Sequence, residues 1–244
     1  MKTALFIPCY VDQFYPQVGI ATLELLEKLG CTVEYPAAQT CCGQPLANAG
    51  FEKDAAAVYR HFVQTFQGCD YIVAPSGSCT HHVRHHYDVL PQTNNVQQVR
   101  TRTLDLAEFL LDVLKVEKLA ARFSKKVGLH HSCHGLRGLR LAQGSERVGE
   151  DFSKIRTLLE MVEGLELVDV DFPDECCGFG GTFAVTKEAV SVKMGRDKID
   201  DHRRHGVEVI TAGDMSCLMH LDGIIKRNKE PVGVLHFVEI LNCF

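Results

Sequence analysis

One feature restricts this chain more than any other: it repeats itself around pairs of cysteines. "TCCGQP" at residues 40–45 returns as "ECCGFGG" at 175–181, and the flanking segments return in the same order. "KTALFIPCY" (2–10) answers to "KKVGLHHSCH" (125–134), and "GCTVEYPAAQTCCGQP" (30–45) to "GLELVDVDFPDECCGFGG" (164–181). "GCDYIVAPSGSC" (68–79) and "GVEVITAGDMSC" (206–217) have equal length and coincide at Gly68/Gly206, Ile72/Ile210, Ala74/Ala212, Ser78/Ser216 and Cys79/Cys217. "TLDLAEFL" (103–110) resembles "VLHFVEIL" (234–241). A shared order of four blocks means two copies of one folding unit.

Helical patterns separate the blocks. Residues 17–29 place Val18, Ala21, Leu25 and Leu29 on one face before Gly30, and residues 52–67 do the same with Ala55, Val58, Phe62 and Phe66 before Gly68. In the second half Ile155, Leu158, Leu159 and Val162 precede Gly164, and Val185, Ala189, Val192 and Ile199 mark a helix ending near Gly206. Strand–helix alternation predicts an α/β fold of two pseudo-symmetric βαβ-type halves with parallel sheets and right-handed crossovers. The expected division is 1–120 and 121–244. "VEKLAARFSK" between them lacks a linker's composition, so the halves should pack together.

The chain has 244 residues, 45% of them apolar, a net charge of −5 and no apolar run long enough for a membrane span. Nothing basic invites nucleic acid or an anionic membrane. The N-terminus fails as a signal peptide because proline and aspartate interrupt its apolar run. A cytoplasmic protein is expected, and in that reducing compartment eleven cysteines are not expected to form structural disulfides. No Rossmann glycine fingerprint or P-loop supports nucleotide binding.

The repeat sorts those cysteines. Cys9, Cys41, Cys42 and Cys79 answer to Cys133, Cys176, Cys177 and Cys217. Cys31 and Cys69 align with Leu165 and Val207, as small core hydrophobes would, and Cys243 aligns with Asp112 near the chain end. Each of the eight follows a predicted strand or precedes a helix, where parallel sheets hold ligands. The gaps of 31 and 36 residues in one half, and 42 and 39 in the other, each hold about one βα unit. Four thiols should therefore converge in each half, as ligands of an iron–sulfur cluster or of a structural zinc. Zinc sites favour Cys-x2–4-Cys knuckles, absent here, so the spacing favours a cluster. The glycine after each pair should make room for it and take φ > 0. "GFGGTF" should open a helix toward an anionic group. A thiol–disulfide enzyme using Cys41 and Cys42 ranks last, because a bridge between neighbours strains the peptide.

The double motif resembles the cysteine-rich CCG domain found in heterodisulfide reductase and in the iron–sulfur component of glycolate oxidase. The short form without a ferredoxin domain, the lactate-utilisation protein A family, is similar over essentially the whole chain, through "LLEKLGCTVEYPAAQTCCGQP", "PSGSCT", "CCGFGGTF" and "AGDMSCL". The resemblance implies an iron–sulfur electron-transfer subunit of a complex oxidising L-lactate to pyruvate, with a [4Fe–4S] cluster, a ferredoxin-like iron–sulfur subunit and a third lactate-utilisation subunit as partners. In heterodisulfide reductase the last element is Cys-x-x-Cys. Here Ser76 and Asp214 take its first position, which leaves four thiols per half, enough for an ordinary cluster. The rival reading is a non-catalytic scaffold or binding protein with cysteine-ligated zinc.

Asp214 is expected to cap a helix or support a ligand. "HHVRHH" (81–86) offers i,i+4 histidine pairs but reads as a partly solvated helix face, since the second half has only "LMHLDG" there. His130, His131 and His134 flank Cys133 and are expected to support the ligand or move a proton.

Overall fold

The computed structural model describes residues 2–243. Eight short strands form two four-stranded sheets, parallel throughout. The first comprises β1 (Thr3–Leu5), β2 (Val33–Glu34), β3 (Tyr71–Ala74) and β4 (Thr103–Asp105) in the order β2-β1-β3-β4. The second comprises β5 (Lys126–His130), β6 (Glu166–Val168), β7 (Val209–Ala212) and β8 (Gly233–His236) in the order β6-β5-β7-β8. Register repeats with order: Ala4 pairs with Ile72 as Gly128 pairs with Ile210. The expected α/β class and duplication are both present.

This order fixes where a site can form. The chain goes from β1 outward to β2, then crosses back to β3 on the other side. Adjacent strands β1 and β3 thus send their following loops in opposite directions, opening a crevice at their carboxyl ends. β5 and β7 do the same in the second sheet.

The helices match most of the expected periodicity. Pro16–Lys28 buries Val18, Ala21, Leu25 and Leu26, and Ala56–Phe66 buries Tyr59, Phe62, Val63 and Phe66. One face differs. The segment expected to bury Val185, Ala189, Val192 and Ile199 breaks into Thr182–Thr186 and Glu188–Arg204. Val185 and Val190 are exposed, while the longer helix buries Ser191, Gly195, Lys198, Ile199 and His202. Its inner face is polar because it packs behind the second cysteine set rather than on an ordinary core.

The halves interlock as a two-fold axis demands. Phe237–Leu241 of the second half packs on Pro16–Lys28 of the first, and reciprocally Leu106–Glu108 of the first packs on Lys154–Leu159 of the second. One apolar core therefore runs through both, from Val18 and Leu26 to Phe237 and Val238. The equivalent residues Ser76 and Asp214 meet in an isolated antiparallel bridge, which marks the pseudo-dyad. Among the described residues no helix is long and apolar enough to cross a membrane.

Candidate metal centre

Backbone geometry delivers the thiols. Cys9 opens the helix Cys9–Phe14, Cys79 is the third residue of Gly77–His86, and Cys217 is the third of Met215–Asn228. Cys133 immediately precedes the π-helical turn His134–Gly138. Each single cysteine thus lies in the first turn after β1, β3, β5 or β7, where unpaired N–H groups favour negative charge. The loops after β2 and β6 bring the Cys-Cys pairs in from the side.

Within each half the four thiols form a contact chain. Cys9 Sγ lies 3.7 Å from Cys41 Sγ, Cys41 contacts Cys42, and Cys42 contacts Cys79. The second half repeats the chain through Cys133, Cys176, Cys177 and Cys217. The first cysteine of each pair also accepts a backbone N–H, Gly43 N to Cys41 Sγ at 3.3 Å and Gly178 N to Cys176 Sγ at 3.4 Å. Hydrogen bonds from Cys42 and Cys9, with Gly43 N–H, hold the Cys41 thiol down at about 3. Cys133, then Cys177, with Gly178 N–H, hold Cys176 at about 2. Their partners Cys9, Cys42, Cys133 and Cys177 are pushed up, chiefly because they donate to those thiolates. In each set the first cysteine of the pair accepts hydrogen bonds from its neighbours and so favours the thiolate, a donor arrangement suited to a cation.

Both pair glycines have φ of +89°, as expected. Their second expected role is corrected. A Cβ on Gly43 would sit 2.5 Å from Tyr59 Cε1, and one on Gly178 would sit 2.5 Å from the Ser191 carbonyl oxygen. Both glycines face packed protein. They let the loop press against the helix behind it, instead of clearing space for a cluster. "GFGGTF" does open a helix, but only the five residues Thr182–Thr186. Its counterpart Gln44–Asn48 follows the first pair, and Thr182 Oγ1 reaches Asn48 O at 3.4 Å across the dyad.

Both thiol sets open on one cavity of about 460 Å³ between the halves, lined by seven of the eight cysteines, Cys41 lying just behind. Tyr10 and Phe179 meet edge-on over it, ring centroids 5.9 Å apart. The lining includes no lysine or arginine and one buried carboxylate, Asp214. Cys31, Cys69 and Cys243 lie outside it.

Asp214 caps a helix, but not its own. Its carboxylate accepts from Ser76 Oγ at 2.8 Å and Ser78 N at 3.0 Å, at the head of Gly77–His86 in the other half. Ser76 Oγ in turn accepts from Cys79 N at 3.3 Å. Ser76 and Asp214 thus serve to join the halves.

The histidines depart furthest from expectation. His82 is buried, not on a solvated face, and its Nε2 lies 3.0 Å from Tyr59 Oη. Burial pushes it down to about 3. His220 is its counterpart, each three residues after the last cysteine of its set, and His220 Nε2 lies 3.2 Å from Ser191 O. His81 stacks toward His134 across the dyad, ring centroids 5.1 Å apart. His131 is held neutral by burial, at about 4. His130 is wholly buried, both ring nitrogens lack a partner, and one lies within 4.8 Å of the sulfurs of Cys177 and Cys217. An unpaired buried donor or acceptor costs about 1–3 kcal/mol, so this placement asks for a reason.

The cysteine-rich CCG domain profile matches residues 3–84 and 127–222, one match per half. The chain is 41% identical to lactate utilization protein A of Halalkalibacterium halodurans, covering 99% of this chain and 97% of that one. It is 39% identical to lactate utilization protein A of Geobacillus kaustophilus, covering 100% and 99%. The chain belongs to the lactate utilization protein A family. A glutamate racemase of Bacillus anthracis overlays with a TM-score of 0.38 at 10% identity, covering 99% of this chain and 78% of the racemase, too loose a likeness to argue from.

For this member of the family, setting "HHVRHH" against "LMHLDG" aligned His82 with His220, three residues after the last cysteine of each set, but the dense run read as a partly solvated face and did not foretell that its one repeated histidine is buried.

Proposed function

We propose that this chain is an iron–sulfur electron-transfer subunit of a system that oxidises L-lactate to pyruvate. One observation carries the reading: two matching sets of four adjacent thiols open on a common cavity in a chain about 40% identical to lactate utilization proteins. The donors fit a cluster. Cys9, Cys41, Cys42 and Cys79 would hold one, and Cys133, Cys176, Cys177 and Cys217 another. A [4Fe–4S] cluster, when bound, supplies reversible one-electron transfer, its potential set by charge, hydrogen bonds and burial.

The chain's own residues hold, shield and tune. Gly43 and Gly178 N–H groups stabilise thiolate charge, Tyr10 and Phe179 shield the cavity, and Asp214 locks the halves at a fixed separation. A lactate carboxylate would find no lysine or arginine on the cavity wall and would meet Asp214. That lining supports electron transfer here, with the α-hydroxy acid bound elsewhere in the assembly. A ferredoxin-like iron–sulfur subunit and a third lactate-utilisation subunit are the proposed partners.

Anaerobic reconstitution with iron and sulfide tests the reading. Wild type should gain broad visible charge-transfer absorption that dithionite bleaches, and Cys41→Ser should lose about half. Colourless protein, or an unchanged Cys41→Ser spectrum, refutes it. A specific distance favours structural zinc as the second reading. Tetrahedral zinc with sulfur at about 2.3 Å sets sulfurs about 3.8 Å apart, close to the 3.7 Å between Cys9 and Cys41. A cluster needs the thiols to part into the cavity. Stoichiometric zinc without iron in anaerobically purified protein would decide for zinc.

A further inference from the structure

His130 marks a difference between the two halves beside the thiols. Its counterpart, three residues before the first cysteine of the set and in the same strand register, is Phe6. Phe6 belongs to the buried apolar cluster that also holds Cys42 and Cys79, edge-on to Phe62 and Phe66 with centroids 4.9 and 5.7 Å away. The second half puts an imidazole in that place and backs it with Lys198 and His202, both fully buried. A phenyl ring would satisfy such a position. A histidine there has no exposed surface and no hydrogen-bond partner on either nitrogen among the described residues; His202 behind it is likewise unpartnered, but only His130 lies beside the thiols, so its nitrogens are open to a ligand.

Its surroundings name the partner. A ring nitrogen of His130 and the sulfurs of Cys177 and Cys217 lie within 4.8 Å of one another, three donors of the kinds that bind zinc and iron. We propose that His130 is a metal ligand of the second site, so that this site is mixed thiolate–imidazole while the first is all-thiolate. The inference rests on the reading of the eight thiols as metal ligands and adds a donor that their spacing does not contain.

The asymmetry bears on potential. With unlike ligand sets the two duplicated sites would differ in potential while facing one cavity.

The test uses the full chain loaded anaerobically with iron and sulfide, labelled with 15N-histidine, partly reduced and frozen for pulsed electron paramagnetic resonance. A directly bonded histidine nitrogen should appear and change pattern with the label. It should vanish in His130→Phe, which restores the residue of the first half. A reductive titration should show two steps in wild type that draw together in His130→Phe. His130→Cys, which keeps a donor, guards against loss of folding: it should retain iron but lose the nitrogen coupling. Iron-loaded protein with no histidine coupling, or with a coupling that survives both variants, overturns the inference while leaving the electron-transfer reading intact. If the chain takes up no iron, that reading fails first. The ligand claim is then read with Co2+ alone, where the same nitrogen coupling supports it and sulfur-only coordination overturns it.

Discussion

A glycine and a buried carboxylate show how tightly single residues are committed here. Gly43 and Gly178 share a φ of +89°, but their obstacles differ. Neither can move freely: the Tyr59 ring is wholly buried, stacked on Tyr87 and hydrogen-bonded to His82, and the Ser191 carbonyl is part of a helix backbone. Gly43→Ala and Gly178→Ala should therefore each lose more than the roughly 1–2 kcal/mol that left-handed φ costs a non-glycine residue. Urea unfolding of reduced, metal-free protein measures both, and a loss no greater than that cost would show that the packed neighbour yields. At this scale the eight thiols were legible because an inert cysteine and a repeated one behave differently under duplication: Cys69 becomes valine, Cys79 stays cysteine. His130 was only half legible. Its nearness to Cys133 was visible, but burial without a partner is a property of three dimensions.

At the level of elements, the helix heads do the joining. Ser76 caps Gly77–His86 through Cys79 N while donating to Asp214 from the other half. Ser76→Ala should cost about 1–2 kcal/mol for the cap, and Asp214→Ala about 1–3 kcal/mol for buried donors left unpaired. Because they share one hydrogen bond, the double variant should lose less than the sum, and strict additivity would deny the coupling. After β8, His236, the counterpart of Asp105, caps Phe237–Leu241 by accepting Val238 N–H on Nδ1. Burial pushes His236 down to about 4 from an ordinary 6.5. Between those values the unfolded chain binds a proton that the folded chain refuses, so stability falls as pH drops from 6.5 toward 4, by up to about 1.4 kcal/mol per pH unit. His236→Asn keeps the cap acceptor and should flatten that slope by about one proton; an unchanged slope would place the titration elsewhere. Helix positions were readable from period and stop signals, but not which face of Glu188–Arg204 turns inward. Its buried Lys198 and His202 follow from what lies behind the second thiol set, and no hydropathy pattern encodes that.

For the whole molecule the question is whether duplication leaves two stable units or one. The strand order β2-β1-β3-β4, copied as β6-β5-β7-β8, would let each half stand as a small sheet with its own helices. The packing argues otherwise. Phe237, Val238, Ile240 and Leu241 are wholly buried, and their helix lies on Pro16–Lys28 of the opposite half. Asn242 adds hydrogen bonds to Glu24 and Lys28 there. Separating the halves would uncover the face of that short helix turned to Pro16–Lys28 and the matching face of Pro16–Lys28, with Val18, Leu25 and Leu26, each large apolar side chain worth about 1.5–3 kcal/mol when buried. The reciprocal contact of Leu106–Glu108 would be lost as well. That sum rivals the entire stability of a domain, about 5–15 kcal/mol, so neither half should survive the loss of the other. The metal-free chain should therefore unfold in one cooperative step, with far-UV circular dichroism and tyrosine fluorescence giving coincident midpoints. Two resolved transitions would mean that each half keeps its own thiol set in place unaided. A single one would mean that both sets, and the cavity they share, form only when the halves close on each other.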